Sequence, residues 1–127
     1  MTAALRSPEL NQALAELEHA HLGHVEVVSE DGAGVVVRIT AVALGDRWSI
    51  PTGDLWFQIP YHYPDAPIYP YYVTGSVPTA GNTPGLQAVT WRNMPATQVS
   101  LRHNRWSPNV DTALGSVRQT IAWLQSR

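Results

Sequence analysis

A chain of 127 residues with 44% apolar and only 14% charged residues suits one domain, 1–127, with a weakly charged surface. A net charge of −2 supplies no basic stripe for nucleic acid, and the absence of cysteine excludes disulfides, thiolate metal ligands and a thiol nucleophile. No window approaches the roughly 18 apolar residues of a membrane span and no leader pattern opens the chain, so a cytoplasmic protein without membrane contact is expected.

Ser7-Pro8-Glu9 predicts a helix start: a hydroxyl cap, proline at the first helical position and an acid in the first turn. Leu10, Leu14, Leu17 and His21 recur at helical spacing, so a helix is expected over 8–21, with Gly23 as its stop. Three strands should follow, over 24–30, 35–44 and 54–60, separated by the turn-forming runs EDGAG and GDRWSIPTG. From Pro60 the chain turns proline- and tyrosine-rich. Proline cannot donate to a ladder, so residues 68–74 are expected to form at most a fourth, edge-like strand.

A breaker-rich loop occupies 75–85, and LQAVTW and ATQVSL are short extended candidates on either side of Asn93. The last segment predicts a helix that starts near Pro108 and is capped by Asp111. Val110, Leu114, Val117, Ile121 and Leu124 share one of its faces. The expected fold is α+β: an N-terminal helix, a four-stranded antiparallel meander, an irregular stretch and a C-terminal helix.

His19, His21 and His24 resemble a metal cluster only on paper. On a helix His19 and His21 point about 200° apart, so no metal site is expected. No glycine-rich phosphate cradle and no Gly-x-Ser-x-Gly elbow occurs. The aromatic-proline segment reads either as a wall of the core or as a docking surface.

Ser100 stands at the exit of an expected strand in QVSLRHNRWSPNVD. A serine nucleophile needs a base and donors for developing negative charge. His103 lies three residues on, and Asn93 and Asn104 are candidate donors. A serine at a strand end is ordinarily a plain polar residue, so this constellation is suggestive and unspecific.

The run LWFQIPYHYPDAPIYPYYVT, then VSL, then RWSPNVDTALGSVRQTIAWLQ resembles the ubiquitin-conjugating enzyme (UBC-like) family. The most specific parts are Tyr63-Pro64-x-x-Pro67 and Trp106-Ser107-Pro108, found in the family's order. The resemblance implies a UBC-like fold and places Ser100, in Val99-Ser100-Leu101, where the family keeps its catalytic cysteine. Asn93 would be the oxyanion donor, with Trp91 and Arg92 where the family has histidine and proline. His103 would be a base or orienting group, and Asn104 a lesser helper.

The loop 75–90 is longer than in the family, the stretch from Ser100 to Trp106 is shorter, and the family's last helices are missing. The implied partners are a ubiquitin-like protein and an activating-enzyme-like protein, as in bacterial conjugation operons linked to anti-phage defence. Glu9, Gln12, Glu16 and Glu18 of the first helix would face the activating enzyme, beside Tyr61, His62, Ser107 and Pro108. No cofactor is implied. Ser100 would form an oxyester, stand as a replacement for cysteine that traps the acyl group, or mark a catalytically silent adaptor. An alcohol needs a general base at neutral pH, whereas a thiol acts with little help.

Overall fold

The computed structural model describes residues 7–30, 32–101, 106–108 and 110–126. Helix α1 spans Pro8–His19, and Ser7 caps it by accepting from the Leu10 amide at 3.1 Å. The helix ends two residues before the expected His21, which lies beyond it at φ +56°. Gly23 serves another purpose than stopping the helix. A Cβ there would meet the Thr40 carbonyl oxygen at 2.2 Å, so glycine lets the chain enter the sheet against its neighbour's backbone.

Six strands follow: β1 (His24–Glu30), β2 (Gly34–Ala43), β3 (Thr52–Pro60), β4 (Tyr71–Thr74), β5 (Leu86–Trp91) and β6 (Met94–Val99). They form one antiparallel sheet in the order β1-β2-β3-β4-β6-β5. This overturns the expected four-stranded meander. The two short runs flanking Asn93 pair with each other as a hairpin, and β6 then pairs with β4. The expected edge strand is therefore an interior one. Its prolines end at Pro70, just ahead of the Tyr71–Thr74 ladder, so the ladder amides remain intact.

Helix α2 spans Ala113–Gln125 and starts later than expected, with Thr112 as its cap, accepting from Gly115 N at 3.0 Å. Val110 falls outside the helix and is exposed. Asp111, the expected cap, instead accepts from Ser107 N at 2.6 Å.

One face of the sheet carries Val35, Val37, Ile39, Leu55, Phe57, Ile59, Tyr71, Val73, Leu86 and Val99, all buried. Both helices cover that face, α1 through Leu10, Ala13, Leu14 and Leu17 and α2 through Ala113, Val117, Ile121 and Leu124. Full burial of each large apolar side chain stabilises the fold by about 1.5–3 kcal/mol. Polar groups caught in this layer find partners within it. Tyr71 and Ser116 share a 2.6 Å hydroxyl bond, and Trp48 Nε1 donates to Leu124 O at 3.2 Å.

The other sheet face carries Arg38, Trp56, Tyr72 and Gln98 in adjacent register across four strands. No helix of the described residues is long and apolar enough to cross a membrane.

Candidate functional site

Ser100 directly follows β6. Its amide donates to Gly85 O at 2.9 Å, its hydroxyl accepts from Gln98 Nε2 at 3.4 Å, and it is exposed. Asn93 lies at the other end of the same strand. Arg92 and Asn93 are the two central residues of the β5–β6 turn, with φ of +52° and +62°. Seven residues of extended chain at about 3.3 Å each place Asn93 roughly 20 Å from Ser100. An oxyanion donor must stand about 3 Å from the charge it stabilises. The structure therefore does not bring the expected donor to the expected nucleophile, because Asn93 is occupied in shaping a hairpin. His103 and Asn104 lie outside the described residues.

The two motifs that carry the family resemblance do come together. Trp106 Nε1 donates to Pro64 O at 2.7 Å, and its ring lies 6.5 Å from that of Tyr63. The Tyr63 hydroxyl accepts from Ala113 N at 2.8 Å, anchoring the start of α2. Burial raises the Tyr63 pKa above the usual phenol value, the Ala113 bond opposes this, and the Glu16 charge adds to the rise, so the hydroxyl stays protonated at neutral pH.

Beside this junction is a cleft of about 310 Å³ lined by Glu9, Gln12, Glu16, Tyr63, Pro64, Pro108 and Asp111, among others. The expected partner residues Glu9, Gln12, Glu16 and Pro108 thus share one concavity. Ser107 is half-buried next to it, its amide held by Asp111. Tyr61 packs against the core, and His62 is exposed at the start of the same loop. The three carboxylates lining the cleft, Glu9, Glu16 and Asp111, face no basic residue among its described lining.

A second concavity, which the sequence only hinted at, occupies the sheet face away from the helices. The β5–β6 tip curls over that face. Trp91 stacks on Tyr72 with ring centroids 4.2 Å apart and meets Trp56 edge-on at 5.5 Å. Arg92 reaches Ser29 Oγ of β1, at the opposite edge of the sheet, at 3.4 Å. Between the tip and the 60–70 loop lies a cavity of about 390 Å³, floored by Val36 and Gln58 and walled by Pro67, Tyr69, Pro70, Tyr72 and Trp91. The signal for it was the density of tyrosine and proline after Pro60. The turn that closes it left no such mark.

Among the described residues no group of three or more His, Asp or Glu could hold a metal ion. No family model, curated protein or solved structure matches the chain.

Proposed function

We propose that this chain is a divergent relative of the ubiquitin-conjugating proteins that works in a ubiquitin-like conjugation pathway as a binding adaptor. The contact between the Tyr63-Pro64 and Trp106-Ser107-Pro108 segments supports the kinship, since the two most specific motifs of the resemblance join in space. The observation that carries the adaptor reading is the placement of Asn93 and Ser100 at opposite ends of β6. With Asn93 a strand's length away, Ser100 gains none of the roughly 3 kcal/mol that this one oxyanion donor would supply to acyl transfer. The acidic cleft between α1 and the Pro108 segment is the docking surface, and it suits a basic segment of the activating enzyme or of the ubiquitin-like protein.

A second reading is favoured by the exposure of the Ser100 hydroxyl at a strand end. There the serine oxygen attacks the ubiquitin-like C-terminal thioester on the activating enzyme. The carbon–sulfur bond breaks, the thiolate leaves, and the hydroxyl proton passes to a base.

One experiment separates the two. The chain is incubated with its activating enzyme, ATP and the ubiquitin-like protein, then read by intact mass and by binding. The adaptor reading expects binding without an adduct, and weaker binding in Glu9→Lys/Glu16→Lys. An adduct that survives thiol reductant, yields to hydroxide and vanishes in Ser100→Ala establishes the acyl acceptor instead. Neither binding nor adduct removes the pathway itself.

A further inference from the structure

The cavity on the outer sheet face lies apart from the acidic cleft and from Ser100, and none of the conjugation roles uses it. We propose that it is a binding site for a carboxylate carried on a compact apolar or aromatic body. Its volume of about 390 Å³ falls within the range of small-molecule sites. Such sites combine apolar walls with a few fixed polar groups, and this one follows that rule. Tyr69, Tyr72 and Trp91 supply ring surface, while Gln58 and Arg92 supply donors. Among the described residues no carboxylate lines it, so its one full charge is the Arg92 guanidinium.

Arg92 is aimed as well as charged. Its guanidinium carbon lies 5.5 Å from the Trp91 ring centre, and Nη2 contacts Ser29 Oγ at 3.4 Å, which restrains the fork at the mouth of the cavity. A planar guanidinium pairs with a carboxylate through two parallel N–H bonds, a geometry that lysine does not reproduce.

The backbone adds an independent observation. Arg92 occupies φ +52°, a left-handed conformation that ordinarily goes to glycine or asparagine and costs other residues about 1–2 kcal/mol. A long cationic side chain kept at such a position points to a use for that side chain. Tyr72 lines the same cavity, and its hydroxyl, with a pKa raised by burial and by neighbouring Tyr69, remains a neutral donor.

The ligand chemistry has two sources, a free small acid or the C-terminal residue of a polypeptide. The test uses the whole chain and follows the Trp91 indole N–H by NMR. The probes are phenylacetate, phenylacetamide, and the peptide Gly-Ser-Gly-Ser-Phe with a free or an amidated C-terminus. Phenylacetate should shift the indole at millimolar concentration, at least tenfold more tightly than phenylacetamide, and Arg92→Gln should lose about tenfold.

Arg92→Lys keeps the charge without the fork and should recover only part of that loss. Tighter binding of the free-acid peptide than of phenylacetate identifies a polypeptide C-terminus, and the reverse identifies a free acid. No shift with any probe at about 10 mM, equal binding of acid and amide, or unchanged binding in a folded Arg92→Gln overturns the proposal.

Discussion

Trp106 Nε1 donates to the carbonyl oxygen of Pro64 at 2.7 Å, fastening the segment that leads into α2 to the loop that leaves β3. Trp106→Phe keeps the ring packed toward Tyr63 but leaves the half-buried Pro64 carbonyl without its donor. The net worth of such a bond is about 1 kcal/mol. Thermal melts should show a fall in Tm of about 4 °C. A Trp106→Phe variant as stable as the parent would mean that the indole bond adds nothing to the junction.

Gly85 tests how closely the chain ahead of β5 packs on α2. It accepts from the Ser100 amide, sits at φ +87°, and would place a Cβ only 2.7 Å from Cη2 of Trp123 on α2. Gly85→Ala therefore meets both backbone strain and a packed ring, and should cost about 2 kcal/mol or more. Gly75→Ala is the control, since φ there is +83° but the Cβ enters open space. Its cost should stay near 1 kcal/mol. Urea denaturation of both variants measures the difference, which reports the Trp123 contact alone. Equal costs would show that the indole yields freely.

The buried phenols set an alkaline limit. Burial drives the Tyr71 pKa far above the ordinary phenol value of 10.0, although the hydroxyls of Ser116 and Thr120 pull it down. Tyr63 and Tyr72 are raised too. Above about pH 10 the unfolded chain releases these protons while the folded chain retains them. The unfolded state then binds fewer protons, so stability falls as pH rises. Melting temperatures should carry no phenol contribution to their pH dependence below pH 9 and should drop above about pH 10. Tyr71→Phe should start lower, because Ser116 loses its partner, and should decline less steeply above pH 10. An equally steep decline would exclude Tyr71 as the source.

Much of this architecture was legible from local chemistry. Ser7 caps α1 as its hydroxyl and the following proline suggested, and the β-branched run of β2 forms an interior strand. What stayed hidden depended on contacts between distant segments. The Arg92-Asn93 turn lacks the glycine that usually announces a two-residue hairpin, so β5 and β6 read as separate pieces and the sheet was undercounted. Thr112 rather than Asp111 caps α2, because the Asp111 carboxylate is drawn to the Ser107 amide. In the site, the family resemblance rather than any local chemistry singled out Glu9, Gln12, Glu16 and Pro108, which line one cleft. Asn93 was misplaced for a plain reason: proximity in sequence within an extended strand is distance in space.

That same turn offers the sharpest test of the outer cavity. Two-residue hairpin turns with positive φ at both central positions strongly favour asparagine followed by glycine. The present residues, Arg92 at φ +52° and Asn93 at φ +62°, are a poorer match to that geometry. The double substitution Arg92→Asn/Asn93→Gly removes strain at the first position and supplies the favoured residue at the second. Stability in urea should rise by about 1 kcal/mol. The same variant deletes the guanidinium at the cavity mouth, so phenylacetate binding should fall about tenfold, as in Arg92→Gln. A gain in stability with a loss of binding would show that this turn gives up fold stability to hold a functional cation. A loss of stability would instead mean that the Arg92 contacts to Ser29 and Trp91 hold the curled hairpin in place, and the arginine would then be explained by the fold alone.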